Sequence, residues 1–114
     1  MLDIKMEYKK GVLFIRLEGK LSAETNNTFE NDIFPLLLVQ GIKKVVINLD
    51  KLIYLDYEGV KSLLKVESII RNNNGIMSLC SLTSNEVKKV LHERFINTFY
   101  ESKNELTAIG EMKI

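Results

Sequence analysis

The sequence predicts an α/β fold: a mixed, mostly parallel sheet of four to five strands, opened by an N-terminal hairpin and covered by helices. Two runs, residues 44–49 and 76–82, are apolar on both faces and rich in β-branched or bulky residues, as strands buried between layers are. Segments with apolar residues at helical spacing separate these runs, which implies parallel strands joined by crossover helices. Alternating segments on either side of Lys9-Lys10-Gly11 add an antiparallel pair.

Taken in order, Leu2, Ile4, Met6 and Tyr8 alternate with Asp3, Lys5 and Glu7. Beyond Gly11, Leu13, Ile15 and Leu17 share one face, and Val12, Phe14, Arg16 and Glu18 the other. A helix is expected within 23–40, where Phe29, Ile33, Leu36 and Leu37 recur at helical spacing. Pro35 costs about 3 kcal/mol in a helix interior, so a kink or two shorter helices are expected there. Gly41 is placed to end it. After the strand at 44–49, residues 50–55 read as a short connection carrying Leu52, Ile53 and Leu55. Asp56 is an expected N-cap for a helix with Val60, Leu63, Leu64 and Ile70 on one face. Asn72-Asn73-Asn74-Gly75 ends that helix, since Asn and Gly tolerate the left-handed conformation. The strand at 76–82 follows. Thr83 and Glu86 have capping-box spacing ahead of a third helix with Val87, Val90 and Leu91. A short strand within 97–101 precedes Ser102 and Glu105, again at capping-box spacing, and a last helical stretch with Leu106 and Ile109.

Composition narrows the function. The 114 residues are 46% apolar and 27% charged, an ordinary globular balance of one domain's length. A net charge of +1 argues against a nucleic-acid binder. One cysteine cannot form an intramolecular disulfide, and one cysteine with one histidine make a poor metal site. No apolar run approaches the ~20 residues of a membrane span, and the N-terminus has no basic head followed by an apolar block. A cytoplasmic chain with reduced Cys80 and no direct membrane insertion is the expectation. His92 reads as a helix-end residue, and Cys80 as a small buried side chain without a catalytic partner. No phosphate-cradling loop, zinc spacing or serine elbow occurs, so no cofactor is expected and no enzyme.

One segment stands apart: Leu55-Asp56-Tyr57-Glu58-Gly59, where two carboxylates fall within one helical turn. Taken alone, it reads as an N-cap plus a complement to the helix dipole, worth about 0.3–1 kcal/mol per charge. An acid/base or metal site would need a third ligand or a histidine.

Several stretches carry a resemblance. They are Lys44-Val-Val-Ile-Asn-Leu-Asp50, then Leu52-Ile-Tyr-Leu-Asp56, Gly59-Val60 and Leu63-Leu64. Leu82-Thr-Ser-Asn-Glu-Val-Lys-Lys-Val-Leu91 and Phe99-Tyr100-Glu101-Ser102 follow. In this order they resemble the STAS domain of bacterial anti-sigma factor antagonists over nearly the whole of 1–114. The resemblance implies a non-enzymatic STAS fold that binds an anti-sigma factor, often a serine kinase, and so releases a sigma factor. In the family, phosphorylation of the Ser or Thr directly before the motif glycine blocks that binding. Here the residue before Gly59 is Glu58, with Tyr57 beside it in place of a small hydroxyl residue. Glu58 has no hydroxyl to phosphorylate, and mimics phosphate only in part, with one charge and two oxygens. The family often has Asp after Gly-x-Leu near this site, whereas this chain has Gly19-Lys20-Leu21-Ser22. The resemblance therefore implies a partner surface at Asp56, Tyr57, Glu58, Gly59, Lys61 and Ser62, with Ser22 beside it. Ser62 is expected as a neutral surface residue, and Ser22 and Ser62 as available hydroxyls. A STAS scaffold or subunit of a larger signalling or transport assembly is the alternative, with a homodimer one form of it.

Overall fold

The computed structural model describes residues 1–112. Strand β1 (Leu2–Lys9) and strand β2 (Val12–Leu21) form the N-terminal antiparallel hairpin, turning through Lys10 and Gly11, both at positive φ. Helix α1 (Asn26–Gln40) leads to β3 (Lys44–Leu55), α2 (Tyr57–Asn72), β4 (Ile76–Cys80), α3 (Asn85–Arg94), β5 (Tyr100–Ser102) and α4 (Glu105–Glu111). The five strands lie in the order β1-β2-β3-β4-β5, and every pair after the hairpin is parallel. The predicted mixed sheet with an antiparallel edge is therefore present with five strands.

The sheet buries both faces. On one, Leu13, Ile15, Leu17, Val45, Ile47 and Leu79 pack against Phe29, Ile33 and Leu37 of α1, Val60, Leu63 and Val66 of α2, and Val87 and Leu91 of α3. On the other, Val12, Phe14, Val46 and Cys80, with Ile76 at the margin, pack with Ala108 and Met112, from α4 and its C-cap. A strand covered on both faces reads as a continuous apolar run, which is why 44–49 and 76–80 are legible as interior strands. Burial also pushes the Cys80 thiol up, so it stays a neutral apolar filler.

Several local expectations are corrected. Helix α1 runs unbroken through Pro35. Pro35 and Asn31 are both exposed, so the proline and the residue one turn before it lie on the solvent side of the helix. Residues 50–55 are strand rather than connection. Strand β3 carries an extra residue relative to β2 between Asn48 and Lys51, and another between Leu52 and Tyr54. These two bulges convert period-two burial into a period of three, with Leu49, Leu52 and Leu55 buried and the residues between them exposed. Strand β4 ends at Cys80, before Leu82, where Ser81 takes a positive φ. The cap of α3 is Ser84, accepting from Val87 N, while the Thr83 hydroxyl donates to the Asp50 carbonyl. The last strand is Tyr100–Ser102, so within the expected window only Tyr100 and Glu101 are strand. Asn104, not Ser102, caps α4 by accepting from Thr107 N. Leu106 and Ile109 are exposed, and Ala108 and Met112 are the residues that α4 and its C-cap bury.

Glu105 is free of capping duty because it docks α4 onto the sheet. The Arg16 guanidinium donates to both of its carboxylate oxygens at 2.8 and 2.9 Å, and Asn48 Nδ2 donates at 2.8 Å. The bond from Arg16 holds the Glu105 carboxyl below the usual glutamate range, outweighing the opposing effect of burial. A carboxyl whose pKa falls on folding adds stability above its unfolded value and loses it as pH falls through the folded one. Glu105→Gln is therefore expected to lower the urea midpoint at neutral pH, with the gap from wild type closing in acid. A gap that stays constant with pH would show that the ion pair contributes nothing.

Candidate functional site

The site is assembled at the junction where β2 and β3 end. Leu21 pairs with Leu55, so the chain leaving β2 and the chain entering α2 run side by side. Asp56 is extended at φ −115° and caps α2 as expected, its Oδ1 accepting from Gly59 N at 2.9 Å. Its second oxygen does something the sequence does not announce: Oδ2 accepts from Ala23 N at 3.1 Å. One carboxylate thus ties the helix start to the loop that follows β2. Asp56 N completes the tie by donating to the Leu21 carbonyl at 3.4 Å.

Ser22 lies inside that loop and is buried, 7% exposed. Its hydroxyl accepts from Glu24 N, and its own N–H donates to Thr25 Oγ1. The Thr25 hydroxyl in turn donates to the Lys20 carbonyl, giving a self-contained turn. Gly59 is buried beneath the same loop: a Cβ built on it would stand 2.4 Å from the Leu21 carbonyl oxygen. The glycine is required by close approach of two backbones.

Tyr57 and Glu58 project outward from the first turn. Tyr57 is 52% exposed and stacks on Phe95 at 6.1 Å between ring centroids, 28° from parallel. Two cations lie over its ring: Lys61 Nζ at 5.5 Å and the Arg94 guanidinium at 5.7 Å. Lys61 also reaches Glu58 Oε1 at 3.5 Å, an exposed pair of small energetic weight. The surface is therefore an aromatic ring and a carboxylate held among two cations, with exposed Ile53, Tyr54 and Ile96 among the neighbouring segments. Arg94 and Phe95 come from the end of α3 and were not identified from sequence. No local motif marks them, because the contact spans 38 residues of chain, from Tyr57 to Phe95.

Ser62 departs from expectation. It is wholly buried, and its hydroxyl donates to Glu30 Oε2 of α1 at 2.5 Å. Lys65 Nζ meets the same oxygen at 3.3 Å. Ser62 faces α1 rather than solvent, so it belongs to the helix–helix seam and not to the exposed surface. Of the expected site residues, the structure thus leaves Tyr57, Glu58 and Lys61 outward, and uses Asp56, Gly59, Ser22 and Ser62 as framework.

Among the described residues no three His, Cys, Asp or Glu side chains are grouped to hold a metal, and no helix is long and apolar enough to cross a membrane. His92 lies at 2.9 Å from Glu101 in a half-buried pair near the end of α3.

Comparison with known proteins agrees with this fold. Residues 3–102 match the family model described as STAS domain. A curated relative, the anti-sigma F factor antagonist of Paenibacillus polymyxa, is 23% identical over 113 residues, covering 99% of this chain and 97% of that one. An anti-sigma factor antagonist from Mycobacterium paratuberculosis superposes with a TM-score of 0.86 at 17% identity, covering 98% of this chain and 94% of its own. A serine-to-glutamate variant of RsbS from Moorella thermoacetica gives a TM-score of 0.78 at 10% identity, with 96% and 93% covered. Over nearly its whole length the chain is similar to anti-sigma factor antagonists, and it belongs to the STAS domain family.

Proposed function

We propose that this chain is an antagonist-type STAS module that binds an anti-sigma factor of the serine-kinase kind, and that this contact is not switched by phosphorylation at position 58. The observation that carries the reading is Glu58 itself. It stands directly before the packed Gly59, at the outward side of the first turn of α2, with no hydroxyl to accept a phosphoryl group. Its charge is fixed, and Lys61 shares it. A partner suited to this surface meets a permanent carboxylate beside an aromatic ring already gripped by Lys61 and Arg94. Tyr57 supplies the large, rigid, amphipathic contact that interfaces favour. Asp56, Gly59, Ser22 and Ser62 serve the interface indirectly, by fixing the helix start against the loop after β2 and against α1.

The test uses a kinase-type anti-sigma factor captured from native cytoplasm on the immobilised chain, identified and then purified. The wild-type complex is expected to persist when ATP and magnesium are added. Tyr57→Ala is expected to weaken it about tenfold or more, the loss of one buried aromatic anchor. Glu58→Ser is expected to become a substrate, to be phosphorylated at the new hydroxyl and then to be released. Dissociation of the wild-type complex by ATP would refute the fixed-contact reading. Failure of the wild-type chain to bind any such partner would refute the antagonist reading itself.

A further inference from the structure

Strand β1 is an edge: the order β1-β2-β3-β4-β5 leaves one of its sides without a neighbour among the described residues. A free edge of eight residues presents a row of unpaired N–H and C=O groups, a template for another strand. Proteins commonly blunt such an edge with charge, and β1 carries four: Asp3, Lys5, Glu7 and Lys9, all exposed. Asp3, Lys5 and Lys9 make no ion pair among the described residues, and Glu7 is engaged through Oε1 alone, by Arg16 at 2.9 Å. On the opposite face, Met6 and Tyr8 are 41% and 61% exposed beyond the cover of α1. What distinguishes this edge is the order in which its charges run.

We propose that two copies of this chain pair antiparallel through β1, about a two-fold axis at Met6, to form one continuous sheet of five strands from each copy. In this register the positions of facing residues sum to twelve. Met6 faces Met6, Lys5 faces Glu7, Asp3 faces Lys9 and Ile4 faces Tyr8. Every charged residue of the strand then opposes one of opposite sign, and every apolar residue from Ile4 to Tyr8 opposes an apolar one. Neighbouring registers fail. Centring the axis on Lys5 opposes Asp3 to Glu7 and Lys5 to itself. Centring it on Glu7 opposes Lys5 to Lys9 and Glu7 to itself. Centring it on Ile4 matches Asp3 with Lys5 but leaves Lys9 unpaired and shortens the overlap of strand residues to Leu2–Met6. Shifts that place the axis between residues set the apolar face of one copy against the charged face of the other. Like charges directly opposed are destabilising and opposite ones favourable, so the strand selects a single register of itself. The arrangement is isologous and closes as a dimer, with the edge consumed on both copies. The second oxygen of Glu7 is left for Lys5 of the second copy while Arg16 keeps the first. The contact is one strand wide, so the dimer is weak and appears as concentration rises.

Directly opposed residues in an antiparallel pair have Cα atoms about 4.5–5.5 Å apart, within disulfide reach. Met6→Cys is therefore expected to cross-link to its own copy under mild oxidation, and Lys5→Cys, which faces Glu7, to do so at least about tenfold more slowly. Cys80 is buried and gives no background. In sedimentation, the wild-type chain is expected to pass from monomer to dimer between micromolar and millimolar concentration. Two charge variants sharpen the test. Lys5→Glu with Lys9→Glu makes β1 wholly acidic, and Asp3→Lys with Glu7→Lys makes it wholly basic. Each alone is expected to stay monomeric, and their mixture to form a heterodimer tighter than wild type and weakened by salt. Circular dichroism checks that both fold. If either does not, the wild-type sedimentation and the two cysteine variants decide alone. A wild-type chain that remains monomeric throughout, or Lys5→Cys linking as fast as Met6→Cys, would overturn the proposal. So would a mixture of the charge variants no more associated than its components.

Discussion

Gly59→Ala is expected to destabilise the chain by about 3 kcal/mol or more, a large share of the roughly 5–15 kcal/mol that holds a domain of this size. Elsewhere the same change inside a helix is favourable by up to about 1 kcal/mol, because alanine loses less backbone entropy. Here packing decides the sign. The new methyl would sit 2.4 Å from the Leu21 carbonyl oxygen, 3.0 Å from its carbon and 2.8 Å from Leu55 Cδ1. A side chain such as Leu55 can move, but the Leu21 backbone cannot retreat easily. It is paired with Leu55 in the sheet and accepts from Asp56 N. Relief of the clash would pull the helix start away from the loop after β2 and stretch the bond from Ala23 N to Asp56. Gly110→Ala is the matched control, because nothing lies within 4 Å of the added methyl. It is expected to leave stability unchanged or raise it by a few tenths of a kcal/mol. Urea midpoints of the two variants separate the effects. A Gly59→Ala chain as stable as wild type would show that the junction yields.

Ser62→Asp is expected to cost about 3–5 kcal/mol, enough to leave a large fraction of the chain unfolded. The position has no exposure, and its hydroxyl donates to a carboxylate oxygen of Glu30. An aspartate there would bring a second carboxylate onto the first, with Lys65, itself exposed, beside them. Either both charges repel in a largely buried seam, or one carboxyl is held protonated at a free-energy cost. Ser62→Ala removes only the donor, and about 1.5–3 kcal/mol is expected for that bond to a charged acceptor. The ordering Asp worse than Ala, read from denaturation midpoints, separates a seam residue from a surface one. Near-equal stability of Ser62→Asp and wild type would place Ser62 at an open surface. The same geometry makes Ser62 an unsuitable kinase target in the folded chain, since its hydroxyl is already committed between two helices.

Fold and site differ in how much of each was legible. Interior strands and amphipathic helices write their environment into local periodicity, so Val45 to Leu49 and the Val60, Leu63 and Ile70 face of α2 could be read directly. The second half of β3 could not. Its two bulges alter the burial period, and a bulge is set by the partner strand rather than by local sequence. Caps were placed one or two residues off at Thr83 and Ser102, because adjacent hydroxyl and amide residues compete for the same role. Ser84 and Asn104 won it, while Thr83 went to the Asp50 carbonyl and Ser102 to Glu111. At the site, Asp56 as cap was legible from its place ahead of the helix, and Gly59 was marked by the family resemblance. The second bond of Asp56, the burial of Ser62 and the grip of Arg94 and Phe95 on Tyr57 were not. Each joins residues more than 30 positions apart.

The sequential strand order also governs how the protein is made. Each strand after β1 bonds to the one synthesised immediately before it, so every later strand meets its first partner already outside the ribosome. The hairpin emerges first, and each later crossover adds one strand to the same growing edge. By the time Cys80 has emerged, every buried residue of the larger core is outside except Val87, Leu91 and Phe99. Assembly is thus vectorial: α3 docks late, on a surface already built. The aromatic grip of Phe95 on Tyr57 closes only after the first four strands and α3 are out.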